Sequence, residues 1–218
     1  MDVLRKTPFW YFIYTICNLP AADIKRFKKY DPCISDILRS SNLHERVTPR
    51  GFNIGGKVLL PKRMDVEVLF GIRDGDLPIE TSNRTIEEND FIARCFPLKI
   101  AHIRGKGRGS YSLTKSIILK ALVLKIEAPD DDAIVVSDVA RLVHLYLLSN
   151  FFLASKNYLI NWHLTKCVLD LDNICMYDWT RLILRTILKG VQNSHANLSK
   201  TCTLFLQVSD FRATYSKI

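Results

Sequence analysis

Apolar positions recur at helical spacing over most of this chain and suggest strands in one short place only. Phe9, Trp10, Tyr11, Phe12 and Tyr14 predict an aromatic, amphipathic first helix within residues 1–22. A polar, basic segment follows at residues 23–30. Asp31-Pro32 then opens a short helix through about Arg39, with Asp31 as N-cap and Pro32 at the first helical position. Phe52-Asn53-Ile54 and Lys57-Val58-Leu59-Leu60 flank Gly55-Gly56, a pair that tolerates the positive φ of a two-residue turn, so a β-hairpin is expected over about residues 52–60. Pro61 stops the second strand. Met64, Val66, Val68, Leu69 and Phe70 fill a compact helix that Gly71 can end, and Asp74-Gly75-Asp76 reads as a turn.

Residues 73–114 look polar and irregular. They close on His102-Ile-Arg-Gly-Lys-Gly-Arg-Gly-Ser-Tyr111, whose interleaved glycines predict a mobile loop. Helical spacing returns from Leu113 to Ile126 and breaks at Ala128-Pro-Asp-Asp-Asp132. It resumes at Ser137, the expected N-cap of a central buried helix running to about Ala154. On that helix Val139, Leu142, Val143, Leu145, Tyr146, Leu147 and Phe151 should be largely buried, with Trp162 and Trp179 packed nearby. Trp162–Leu171 predicts another helix, Asp178 caps one from Trp179 to about Lys189, and Ser199 begins a last apolar stretch through Val208. The expected fold class is mainly α: a single helical domain over residues 1–218 with one small β-hairpin.

Composition supports a closed core. With 48% hydrophobic and 24% charged residues among 218, the chain lies far from the low-hydropathy composition of disorder. The net charge of +9 is unevenly placed, because residues 1–126 hold 22 Lys or Arg against 13 Asp or Glu while residues 127–218 hold 9 against 9. From Phe91 to Ile126, Arg94, Lys99, Arg104, Lys106, Arg108, Lys115, Lys120 and Lys125 meet no carboxylate in the sequence. Such a field favours polyanions or acidic partners, and equally makes a solvated basic face.

Arg5 and Lys6 before Phe9–Leu19 imitate a signal peptide, but the aromatics favour a helix of the fold. The next apolar run, Leu142–Ala154, is broken by His144, Ser149 and Asn150, and is shorter than the roughly 20 residues that cross a bilayer, so no membrane contact is expected. The sequons at Asn83 and Asn197 then read as chance matches. Six cysteines (Cys17, Cys33, Cys95, Cys167, Cys175, Cys202) lack any CxxC pair. His163 and Cys167 stand four apart with Cys175 eight further on, yet closed zinc sites draw on two paired knuckles. Buried reduced thiols in an intracellular protein are expected, and no metal.

Gly105-Lys-Gly-Arg-Gly109 has neither Walker nor dinucleotide-loop spacing. It resembles Arg-Gly arms that touch nucleic acid, with Tyr111 able to stack on a base. Candidate nucleic-acid contacts are therefore Arg104, Lys106, Arg108, Tyr111 and Lys115, the alternative being a plain solvated loop. Asp74/Asp76, Asp130/Asp132 and Asp170/Asp172 are carboxylate pairs that caps and turns explain. Ser137-Asp138 with His144, or any cysteine with His163, lacks an elbow or oxyanion element to complete a nucleophile. No catalytic residue is assigned.

In order, Thr7-Pro-Phe-Trp10, Gly51-Phe-Asn-Ile-Gly-Gly-Lys-Val-Leu-Leu60, Asp65-Val-Glu-Val-Leu-Phe-Gly-Ile72 with Asp74-Gly-Asp76, Asp138-Val-Ala-Arg-Leu-Val-His-Leu-Tyr146, Phe151-Phe-Leu153, Asn161-Trp162, Asp170-Leu-Asp-Asn-Ile174 and Tyr177-Asp-Trp179 resemble the plant mobile domain, also labelled aminotransferase-like. The set spans about residues 7–195 and is close to the domain preceding SUMO-protease-like domains in plant transposon proteins. The resemblance implies a non-enzymatic, transposon-derived nuclear interaction or scaffold domain, linked to transposon biology or silencing, with unidentified protein partners. It implies no cofactor, because a pyridoxal enzyme needs a Schiff-base lysine in a large α/β domain. The family's Trp-containing helix beyond Ser199 is replaced here by Leu204-Phe-Leu-Gln-Val-Ser-Asp-Phe-Arg-Ala-Thr, which implies a truncated copy. The rival expectation is a nucleic-acid binder working weakly through the basic 94–125 region.

Overall fold

The computed structural model describes residues 2–20, 52–54, 57–73, 75–79, 89–97, 113–127, 132–153, 159–160, 163–192 and Phe205. The fold is mainly α. The aromatic first segment forms two pieces, α1 (Asp2–Arg5) and α2 (Trp10–Asn18), instead of one helix. Pro8 explains the break: it disfavours helical geometry at Thr7, whose hydroxyl turns back to the Leu4 carbonyl at 2.7 Å. The hairpin forms as expected, with β1 (Phe52–Ile54) antiparallel to β2 (Lys57–Leu59) and Ile54 opposite Lys57 across a two-residue connection.

Helix α3 (Arg63–Phe70) starts where the Lys62 N–H donates to the Asp65 carboxylate at 2.7 Å. It ends at Gly71, whose φ of 66° and bond to the Glu67 carbonyl make the expected left-handed stop. The stretch expected to be irregular contains α4 (Asp90–Cys95), capped by the Asn89 side chain on the Ile92 N–H at 2.9 Å. Six residues are too few for a periodic signal, so the cap was its only trace. Strand β3 (Leu113–Thr114) leads into α5 (Lys115–Glu127). It pairs antiparallel with β4 (Leu159–Ile160), a second small ladder beyond the hairpin.

The central helix α6 (Ala133–Leu147) begins four residues before Ser137, because Asp132 is the cap, accepting from the Ile134 N–H at 3.1 Å. It continues as a π-helical turn, Leu148–Phe152. The resulting run, Ala133–Phe152, is long and apolar enough by length and composition to cross a membrane, contrary to the shorter span expected. In this fold it is a core helix: Leu142, Leu145, Leu148 and Phe152 are fully buried, as Leu147 nearly is, while Val143, Tyr146 and Phe151 are half-buried against the core. Val139 is likewise only half-buried, and Ile134 and Val136 lie exposed, so the helix is not covered on every face. Trp162 lies outside the described residues.

Helix α7 (His163–Leu169), a 3₁₀ turn at Ile174–Met176 and α8 (Trp179–Gln192) complete the order. Asp178 caps α8 as expected, taking the Arg181 N–H at 2.9 Å and the Thr180 hydroxyl at 3.2 Å. Gly75 does more than turn the chain. Leu77 clips parallel to Tyr177 through bonds to the Met176 carbonyl and from the Asp178 N–H, both 2.8 Å. A Cβ on Gly75 would stand 2.5 Å from the Met176 and Tyr177 carbonyl oxygens, so only glycine fits that approach.

Aromatic rings join the N-terminal helices to the C-terminal half. Phe152 meets Phe9, Phe12 and Phe70 at ring-centre distances of 5.3, 4.7 and 5.4 Å. Phe9 also packs edge-on to Trp179 at 5.2 Å, and the Trp179 Nε1–H is satisfied by the Ile174 carbonyl at 2.7 Å. Of the last apolar stretch, Phe205 is described: it is buried, stacks on Phe52 at 5.8 Å and lies 6.4 Å from Phe70. The expected helix at residues 31–39, the sequons and the glycine loop lie outside the described residues.

Candidate functional site

The most concentrated chemistry lies around Asp138 in the second turn of α6, a carboxylate with no solvent exposure. Arg94 from α4 grips it with two bonds of 2.9 Å, Nε to Oδ2 and Nη2 to Oδ1. Lys125 near the end of α5 places Nζ 3.4 Å from Oδ2, and Arg141, one turn along α6, donates to Oδ1 at 3.3 Å. Arg141 also donates through Nε to the Leu169 carbonyl at the end of α7 and lies over the Phe91 ring. Burial alone would push the Asp138 carboxyl up. The bonds and charge of Arg94, followed by those of Lys125, outweigh it and hold the group below the usual carboxylate range.

This arrangement corrects the charge map. Arg94 and Lys125, at the two ends of the stretch that meets no carboxylate in sequence, both meet Asp138 in space. Chemically the cluster is a closed ionic knot: both oxygens of Asp138 are occupied by protein cations, and it ties four helices together. Cys95 beside it is pushed up to about 12, first by burial and then by the Asp138 charge, so it stays a thiol.

His144, two turns along α6, faces elsewhere. Its ring is fully buried 5.6 Å from Phe9, with Nδ1 2.7 Å from the Ala140 carbonyl, and Nε2 has no partner among the described residues. Burial lowers its pKa to about 4, against the opposing pull of the Ala140 carbonyl. An unfolded histidine titrates near 6.5, so between about pH 6.5 and 4 the unfolded chain takes a proton that the folded chain refuses. Stability is therefore present above that window and falls through it as pH drops, by up to about 3 kcal/mol. Thermal melts across this range should show the loss, and His144→Phe should flatten it. Parallel curves for the two proteins would assign the acid sensitivity to another group.

Of the five candidate nucleic-acid contacts, Arg104, Lys106, Arg108 and Tyr111 lie outside the described residues. Lys115 opens α5 with its ammonium 5.9 Å from the centre of the Tyr146 ring, a cation–π contact. The carboxylate pairs behave as caps and turns where they are described: Asp132 caps α6, and Asp170 accepts from Asn173 through both backbone and side chain. Among the described residues no group of three or more His, Cys, Asp or Glu could hold a metal. Cys167 is buried, its thiol pushed up to about 11 by that burial, whereas Cys17 is exposed, so not every thiol is sequestered as expected.

Two outer faces remain. Along α5, Leu119, Val123 and Ile126 recur at i, i+4 and i+7, and all three are exposed together with Leu124, at 40, 42, 63 and 69% respectively. Along α8, Arg181, Arg185 and Lys189 recur every four residues on the exposed side, opposite the buried Trp179, Leu182, Ile183 and Ile187. Counting charge by halves of the chain hid this second face, since residues 127–218 are balanced overall. The helical period of residues 179–189 carried the signal.

Fold and site together define a mainly helical domain cross-linked by a buried ionic cluster, with an apolar and a basic helix face turned outward. The chain belongs to the family described as a domain of unknown function (DUF8566), whose model matches residues 44–207. That match corrects the resemblance to the plant mobile domain, for which no family match is found. The motifs behind that reading are short apolar and aromatic runs joined by turn and cap residues, the kind that helix packing, a hairpin and local caps impose in unrelated chains. The transposon, silencing and nuclear expectations had only that resemblance behind them and lose their support. No curated protein and no solved structure matches the chain.

Proposed function

We propose that this protein is a non-enzymatic interaction module that binds a protein partner through the outer face of α5. The observation that carries the reading is the exposed stripe Leu119–Val123–Ile126 with Leu124 beside it. Large aliphatic side chains at i, i+4 and i+7 match the anchors by which one helix seats on another, and covering them removes apolar surface from water at about 25 cal/mol per Å². The polar groups around Asp138, Asp170 and Asp178 support it from the other side, because each is engaged in an ion pair, turn or cap.

The test is affinity capture from cell extract with the full chain and with Val123→Asp/Leu124→Asp, each with and without nuclease. Exposed positions tolerate these changes without unfolding, which circular dichroism checks. Nuclease-resistant protein partners recovered by the native chain and lost by the variant are expected. Equal recovery by both chains would sink the α5 reading, and recovery abolished by nuclease would favour nucleic acid instead.

A further inference from the structure

A second surface lies on α8. Arg181, Arg185 and Lys189 project from one side of the helix at intervals of four residues, about 6 Å of rise each. No ion pair engages any of the three among the described residues. The carboxylate at the head of the stripe, Asp178, is already committed to Arg63 at 3.1 Å and to the Arg181 N–H. Three like charges held at this spacing repel one another, and an anionic partner relieves that repulsion.

Beside the first two arginines lies a groove of about 270 Å³, lined by Pro78, Ile79, Asp178, Arg181, Leu182 and Arg185. Ile79 and Leu182 are nearly buried and Pro78 is exposed. The Leu77–Tyr177 clip holds this segment against the start of α8. The volume is below that of ordinary small-molecule sites and is enough for one side chain.

We propose that α8 is a docking site for an acidic amphipathic segment of a partner protein, which sets an apolar side chain into the groove beside Leu182 and carboxylates on Arg181, Arg185 and Lys189. The geometry favours this occupant over a nucleic-acid backbone because phosphate recognition alone has no use for the apolar side chains of Pro78, Ile79 and Leu182 beside the arginines. Guanidinium forks pair with carboxylates in two parallel bonds, which sets the register of the bound segment. This site is independent of the α5 face.

Fluorescence anisotropy of the full chain tests it with three labelled probes: a helical peptide of about 16 residues with Glu at every fourth position and Leu beside them, the same peptide with Leu replaced by Ser, and a single-stranded RNA of similar charge. The Leu peptide should bind at low salt. Arg181→Glu/Arg185→Glu/Lys189→Glu should weaken it about tenfold or more, a loss of about 1.4 kcal/mol. A Glu at position 181 falls in the first turn of α8, where negative charge suits the helix, so this variant should stay folded; Arg185→Gln/Lys189→Gln should act in the same direction more weakly. Val123→Asp/Leu124→Asp should leave the peptide affinity unchanged, which separates failure of this site from failure of the α5 reading. Absence of peptide binding, equal affinity of the charge-reversed chain, equal binding of the Leu and Ser peptides, or RNA binding more tightly than the peptide would each overturn the proposal.

Discussion

Replacing Asp138 with alanine is expected to destabilise the fold by about 3 to 5 kcal/mol, although no solvent-exposed surface changes. The loss arises from the cations left behind. The side chains of Lys125 and Arg141 are each 20% exposed and that of Arg94 is 37% exposed, so all three are partly withdrawn from water around a charge that is no longer there. Asp138→Asn, which keeps the shape and removes the charge, should lose most of the same energy. Adding Arg94→Met to Asp138→Leu should recover part of it, because the second change removes an unpaired cation. Urea unfolding of the native chain, these four variants and Arg94→Met alone checks this, and additive effects of Asp138→Leu and Arg94→Met would show that Arg94 and Asp138 are not coupled. Since the folded carboxyl lies below its ordinary range, its contribution is present above about pH 4 and is lost as pH falls through the folded value, beneath the His144 window.

Phe152→Ala should cost a comparable about 3 to 5 kcal/mol. Its ring closes on Phe9, Phe12 and Phe70, which come from the N-terminal segment, α2 and α3, so truncation opens a cavity where three separate parts of the chain meet. Phe152→Leu retains most of the volume and should cost less than half as much. Equal melting temperatures for native chain and Phe152→Ala would show that these rings pack without holding the N-terminal helices in place.

Much of the fold was legible because its causes act within one turn. Gly71 ends α3 through its own positive φ, Asp178 caps α8 through the N–H three residues on, and the hairpin pairs Ile54 with Lys57. Where two candidate caps compete, local signals do not choose between them. Ser137 looked like the start of α6, but Asp132 had already taken the Ile134 N–H, and nothing in the apolar period distinguishes the two. Pro8 is visible in sequence, yet splitting the first helix required knowing that Phe9 and Phe12 turn into a core built from Phe70 and Phe152.

The candidate sites divide along the same line. By itself the sequence determined features whose causes are local: Asp132 and Asp170 serve a cap and a turn as expected, and the 3.6-residue period of residues 179–189 suffices to put Arg181, Arg185 and Lys189 on one side of α8. Only the tertiary structure decided that Arg94 and Asp138, 44 residues apart, share two hydrogen bonds, and that Gly75 lies against the carbonyls of residues 176 and 177. It also decided that the outer side of α5 stays uncovered. Caps and periods are properties of neighbouring residues, whereas pairing and exposure depend on which faces the rest of the chain brings together.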